Sequence, residues 1–391
     1  MCSVILSVFA ILTITLYVTH LNNKNNSPTI SAYNENDIYE EKNDDKTNNE
    51  QILQELNSNN ENNKDKNEPF VENTKTNVKF TYLGEIMMGG VVTENVNYMY
   101  NTSFKKIYNL TRYSDYTYTS ISTNITSLNE IKEARSKYIV TSDILSAFNS
   151  LGIDGVTVAT DYITDYSKNI FNNTIKELSD NNFNVSGLND STVYFEKNGK
   201  KIAIISATNS YLNNKQTYLD YGINVYSKKT MENDIKIAKE NADFVIVDVH
   251  WGKSNVDTIT REMADIAMDS IDNGADLVLG AHSLGAKGVI MYEGKPIVYS
   301  AGYLITDSNV EEAKKSYIYN FNINENNEID EIQMIPMYGE DKKIVQPYYE
   351  YDVDKSNEYM KKTISEMIKF ELEGNIHNNS IIIKLPQDTT Y

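Results

Sequence analysis

The chain has 391 residues, 40% of them hydrophobic, which suffices for one large domain or two small ones with a sizeable core. Lys and Arg number 36 against 55 Asp and Glu, giving a net charge of -19 and an isoelectric point near 4.7. That balance argues against nucleic acid as a partner, because phosphate binding needs a surplus of Lys and Arg on some face. An acidic polymer would be repelled at long range and would have to be gripped by local contacts. Cys2 is the only cysteine, so disulfides and thiolate chemistry are excluded from the folded part.

Residues 2–19 carry no charge, and an α-helix needs about 20 apolar residues to cross a bilayer. They predict a membrane anchor or an uncleaved signal, since the stretch ends in Tyr17-Val18-Thr19-His20 with no small-x-small cleavage site. No Lys or Arg precedes this span and the first to follow is Lys24, so flanking charge sets its orientation only weakly. Residues 21–76 are dominated by Asn, Asp, Glu and Lys with no sustained apolar period. Such a stretch cannot bury enough surface to offset its ordering entropy, and it reads as a disordered tether.

From Val78 the texture changes to short apolar runs alternating with amphipathic segments, the pattern of an α/β domain. Strands are expected at 79–83, 155–159, 202–207, 244–249 and 277–279. Helices fit between them, at 143–151 behind a Ser142 cap, at 169–178, and at 258–271 with Ile259, Met263, Ile266, Ala267 and Ile271 on one stripe. After Pro296 the pattern becomes β-rich, with strands at 297–300, 318–323 and 329–335, then a helix at 359–370 and a last strand at 381–383. The expected organisation is one domain over 77–345, with a helix and strand from 346–391 packing on it.

Four stretches lie where an α/β enzyme places its site, at the C-terminal ends of strands. They are Gly84-Glu85-Ile86-Met87-Met88-Gly89, then Asp161-Tyr162-Ile163-Thr164-Asp165, then His250-Trp251-Gly252, and lastly Gly280-Ala281-His282-Ser283 followed by Tyr299-Ser300-Ala301-Gly302. Two acids and two histidines after different strands are the ligand types that hold a divalent cation and activate water on it. The plainer readings are that each His satisfies a nearby carbonyl and that Asp161 or Asp165 caps the helix after it. Trp251 either lines a groove or packs under the strand end. The 29 tyrosines, Tyr113, Tyr116 and Tyr118 among them, form a surface for a polar polymer or reflect an Asn- and Tyr-rich composition.

The order, spacing and flanks of these stretches resemble the CapA family of capsule and poly-γ-glutamate synthesis proteins. That family reads GDIMLGR, an Asn-Leu-Glu-like segment, ANNHTLDYG, HWG, GAHPHV and YSLGNFVFD. Here the matching stretches are GEIMMGG at 84–90, SIST at 120–123, ATDYITDYS at 159–167, HWG at 250–252, GAHSLG at 280–285 and YSAGYLITD at 299–307. The resemblance covers about 77–340 and implies a calcineurin-like metallophosphatase fold, a β-sandwich flanked by helices. It also implies one divalent cation (Mn, Zn or Mg) held by Glu85, Asp161, His250 and His282, or none if the site is vestigial. His250, Tyr162 and Asp165 take the catalytic roles, and Trp251, Gly252, Ser300 and Asp307 line the site.

Carried over residue by residue, the match has gaps. Ser120 and Ser122 replace an Asn and a Glu, Tyr162 replaces a His, Leu284 replaces the second His of an HPH pair, and Tyr303 replaces an Asn. A phenol with a pKa near ~10 is a poor acid or base at neutral pH. The resemblance thus implies an accessory, non-catalytic or weakly active protein, anchored in the cell membrane with its domain outside. Its implied partners are the capsule or polyglutamate polymer and membrane synthase subunits. The alternatives are a surviving metal-dependent hydrolase of phosphoester, amide or polymer bonds, and a surface binding module.

Overall fold

The computed structural model describes residues 76–127, 138–189, 191–210, 215–253 and 258–386. The anchor expected at 2–19 and nearly all of the tether lie outside the described residues. No helix among the described residues is long and apolar enough to cross a membrane.

The first half of the domain contributes strands β1 (Val78–Tyr82), β2 (Tyr116–Ser120), β3 (Ile153–Thr157) and β4 (Asn184–Ser186), with helices α1 (Ile144–Ser150) and α2 (Lys168–Asp180). Strands β5 (Val193–Lys197), β6 (Lys200–Thr208), β7 (Phe244–His250), β8 (Leu277–Ala281), β9 (Val289–Tyr292) and β10 (Lys295–Val298) follow, with helices α3 (Lys228–Asn241) and α4 (Arg261–Asp272). The chain closes with β11 (Lys315–Ile323), β12 (Ile329–Glu340), β13 (Ile344–Pro347), α5 (Val353–Ile368), β14 (Asn375–His377) and β15 (Ser380–Lys384).

Two sheets result. One has nine strands in the order β14-β15-β12-β11-β1-β2-β3-β4, with β13 also on β12; the other has six in the order β9-β10-β8-β7-β6-β5. The β1-β2-β3-β4 and β6-β7-β8-β10 runs are parallel and the outer pairings antiparallel, so this is a mixed α/β domain.

The layering follows from strand alternation. Phe80, Tyr82, Tyr116 and Tyr118 of the larger sheet meet Ile202, Ile204, Phe244, Ile246, Leu277 and Leu279 of the smaller one in a shared core. On the far side of the smaller sheet, Val245, Val247 and Val249 pack on Met231 and Ile235 of α3 and on Met263, Ile266 and Ala267 of α4. On the far side of the larger sheet, Val156 and Ile318 share a core with Ile144 and Phe148 of α1 and Phe171 and Leu178 of α2. Burying one such side chain contributes about 1.5–3 kcal/mol, and the three cores together hold the four layers.

Three local expectations need correction. Neither Asp161 nor Asp165 caps α2: Ser167 does, its Oγ accepting from the Ile170 N–H at 3.4 Å. No side chain caps α1, whose expected Ser142 cap does not form. The 116–120 stretch, whose tyrosines were candidates for a polymer surface, is instead an interior strand. Tyr116 and Tyr118 are buried, whereas nearby Tyr113 is exposed.

Candidate metal centre

All four candidate ligands lie where chain segments leave the two sheets at one end. Glu85 follows β1 after Gly84, a position where any Cβ would lie 2.7 Å from the Gly302 carbonyl oxygen and 2.8 Å from the Leu304 nitrogen. Only glycine lets these backbones approach, and it leaves Glu85 paired in register with Tyr303. Asp161 stands at the mouth of a 3-10 turn after β3, its backbone carbonyl accepting from the Tyr218 hydroxyl at 2.6 Å. His250 ends β7. His282 follows β8 with φ at +90°, a conformation that L residues rarely adopt and that the surrounding packing must hold.

These side chains converge. One ligand atom each from Glu85, His250 and His282 lies within 4.8 Å of the others. Asp161 Oδ1 is 3.4 Å from His250 Nε2, and Asp161 Oδ2 is 3.1 Å from His282 Nε2. Relative exposure is 1% for Glu85 and Asp161, 2% for His250 and 4% for His282. Asp161 thus faces both histidines, yet Glu85 Oε2, both carboxylate oxygens of Asp161 and both ring nitrogens of His250 have no partner in good hydrogen-bond geometry. Leaving that many buried polar atoms unmatched costs several kcal/mol, and a cation at the centre would satisfy them together. Two carboxylates and two imidazoles are a donor set suited to Mn²⁺ or Zn²⁺. The residues present therefore fit a divalent cation.

The charges respond to this crowding. Burial pushes the Glu85 carboxyl above its ordinary value, against His250 and Ser122. Burial opposes protonation of His250, but Glu85, Asp161 and Asp248 outweigh it and raise its pKa. Burial and the neighbouring His250 push His282 down to about 3. Burial would raise Asp161, yet the two histidines hold it below the usual carboxylate range.

The remaining predicted residues separate into those near the cluster and those outside it. Ser122, at the place of a family acid, donates to Glu85 Oε1 and so steadies that ligand. Tyr162 is half-buried with its ring edge-on to Tyr138, centroids 4.5 Å apart. Asp165 is exposed at the end of the 3-10 turn, apart from the buried cluster. Ser300 ties two loops, donating to the Ser283 carbonyl at 3.3 Å and accepting from the Gly302 N–H at 3.1 Å. Asp307 accepts from the Tyr138 hydroxyl at 2.8 Å.

Trp251 does not line the site. Strand alternation turns it away from His250 into the helix-side core, where Nε1 donates to the Tyr299 carbonyl at 2.9 Å. Gly252 turns the chain at φ +83° beside Met263. Sequence reasoning missed Tyr138 and Tyr218, which carry no motif. It had Tyr303 only as a lost Asn, whereas the Tyr303 hydroxyl donates to the His282 carbonyl at 3.1 Å.

Residues 79–308 match the family described as bacterial capsule synthesis protein PGA_cap. The chain belongs to this family. It is 25% identical over 274 residues to the capsule biosynthesis protein CapA of Bacillus anthracis, covering 65% of this chain and 66% of that one. To the PGA biosynthesis protein CapA of Bacillus subtilis (strain 168) it is 23% identical over 260 residues, covering 63% and 68%. It thus spans about two thirds of the length of these relatives. Among solved structures, a hypothetical protein from Thermus thermophilus aligns with a TM-score of 0.39 and 11% identity over 69% of this chain and 98% of that one, too distant to speak for the site. In this member of the PGA_cap family the ligand-bearing segments all fall inside the matched region, while α5, β14 and β15 lie beyond it.

Proposed function

We propose that this chain serves capsule or poly-γ-glutamate biosynthesis or export as an accessory protein, anchored through residues 2–19 with its domain outside the cell membrane. In this reading the αββα sandwich is of the calcineurin-like metallophosphatase type and holds one divalent cation between Glu85, Asp161, His250 and His282. Turnover there is weak or absent. The observation that supports the reading is the buried group of Glu85, His250 and His282 with Asp161 facing both histidines, in which atoms of Glu85, Asp161 and His250 are left unmatched by hydrogen bonds.

A bound cation would supply Lewis acidity and charge to hold the cluster together. The chain's own residues supply little more. Ser122 orients Glu85 but brings no second charge. Leu284 packs with the aromatic residues around the site and has no ligand atom to offer. Burial and nearby carboxylates raise the Tyr162 phenol above its ordinary value, so at neutral pH it donates a hydrogen bond but does not act as a base.

Retention of four ligands favours one second reading, a metal-dependent hydrolase of phosphoester, amide or polymer bonds that uses Tyr162 to protonate a leaving group. Deletion of the gene followed by complementation tests both. The accessory reading expects surface-bound polymer to disappear on deletion and to return with either the wild type or Tyr162→Phe. Polymer restored by the wild type but not by Tyr162→Phe favours the hydrolase. Polymer unchanged by deletion rules out the accessory role.

A further inference from the structure

Beside the ligand-bearing segments lies a small buried cluster of Met87, Tyr138, Tyr303 and Ala313, with Tyr162 and Leu284 packed against it. Several of these are placed by the ligands themselves. Met87 lies two residues after Glu85, Tyr162 follows Asp161, Leu284 lies two after His282, and Tyr303 pairs in register with Glu85. Tyr138 is different, because it belongs to no ligand-bearing segment. Its backbone carbonyl accepts from Asn124 at 3.0 Å. Its ring meets Tyr162 edge-on at 4.5 Å, and its hydroxyl donates to Asp307 at 2.8 Å across 169 residues of sequence. A ring fixed at both its edge and its hydroxyl has little freedom to swing aside.

Building on the cation reading above, we infer that Tyr138, pinned by Asp307, closes the centre to solvent and bulky ligands, so that a bound cation exchanges slowly. Water and small anions are the ligands such a closed site admits, and a polymer chain is excluded while Tyr138 stays in place. Opening requires the Tyr138–Asp307 hydrogen bond to break and the ring to leave Tyr162. Both loading and release of the cation then pass through that opening. This makes Tyr138 and Asp307 residues that control access without supplying a ligand.

The experiment uses the purified full chain loaded with Zn²⁺ and follows transfer of the ion to an excess of chelator. Wild type is compared with Tyr138→Ala, Tyr138→Phe, Asp307→Asn and the exposed-site control Tyr113→Ala. Release should quicken by about tenfold or more in Tyr138→Ala and by roughly threefold in Tyr138→Phe and Asp307→Asn, and not at all in Tyr113→Ala. Uptake should quicken in parallel, leaving the equilibrium affinity nearly unchanged, which a loss of ligand geometry would not do. Should Tyr138→Ala fail to fold, as judged by circular dichroism, the two milder variants carry the test. A wild-type chain that takes up no cation overturns the cation reading and the inference with it. A loaded wild type whose variants all release at the wild-type rate overturns the inference alone.

Discussion

The two ends of the sandwich both bury acids, and they treat them in opposite ways. At the start of β8, Asp276 is 7% exposed and fully engaged. It accepts from the Val245 N–H at 2.9 Å and from Lys239 Nζ at 2.9 Å, and Lys295 Nζ lies at 3.3 Å. At the other end, Glu85 and Asp161 are more deeply buried, and no lysine or arginine ion pair reaches either of them among the described residues. A buried carboxylate normally acquires its own neutralising partners, as Asp276 does. Where a fold leaves acids and imidazoles facing one another without a lysine or arginine to neutralise them, it has kept room for a charge that the chain does not encode.

The largest test of this contrast is removal of a ligand. A cation at a thousand times its dissociation constant should stabilise the wild type by about 4 kcal/mol. Thermal melts with and without Mn²⁺ or Zn²⁺ should show that shift in the wild type and lose it in His250→Ala and His282→Ala. Next in size is the structural end. Asp276→Asn should cost about 2 kcal/mol, chiefly from the buried Val245 N–H and the two lysines, whose partial exposure screens their share. Cation uptake should be unaffected. In cation-free protein, Glu85→Gln should cost less than Asp276→Asn in denaturant melts, since it removes a charge that burial disfavours. The reverse ranking would erase the contrast.

A smaller effect concerns pH in the cation-free protein. Because His282 is held at about 3, the unfolded chain takes up a proton there before the folded one does, so stability is lost as pH falls through the ordinary histidine range. Asp248 runs the other way. Burial raises it to about 7, so the folded state binds its proton first and gains stability as pH falls below that value. The two slopes partly cancel. Asp248→Asn removes only the second, and denaturant melts between neutral and mildly acidic pH should then show a steeper loss than in the wild type. The smallest effect is at Trp251→Phe, which gives up the hydrogen bond to the Tyr299 carbonyl and should cost about 1 kcal/mol without touching cation uptake.

Much of the fold was legible because its parallel strands are continuous apolar runs. The stretches at 202–207, 244–249 and 277–279 grew by a few residues into β6, β7 and β8, their ends set by pairing. What escaped was structure whose polarity disguised it. The YTYTS strand β2 is buried throughout, but its tyrosines turn their rings into the inter-sheet core and spend their polar ends on partners there. The Tyr118 hydroxyl reaches Asp248 Oδ2 at 2.9 Å and Ser206 Oγ at 2.8 Å. Composition cannot reveal such pairings. Helix α3 was missed because its buried stripe is only Met231, Ile235 and Ala238 in a lysine-rich segment.

At the site, the four ligand candidates were legible in the sequence because each lies at a strand end beside a recognisable motif. Tyr138 and Tyr218 were not, because they come from segments joined to the site only by tertiary contacts. Of the two readings open for Trp251, packing under the strand end is the one the structure shows, and not the site-lining role the resemblance implied. Adjacency in a strand means opposite faces, so a residue beside His250 points away from it.

Metal content is the most direct test of the central claim. The purified full chain, incubated with Mn²⁺ or Zn²⁺ and freed of excess ion, should retain about one equivalent per chain by mass spectrometry of the elements, and the His250→Ala, His282→Ala pair of substitutions should retain none. A wild type that retains no divalent cation, or a double variant that retains as much as the wild type, would contradict it.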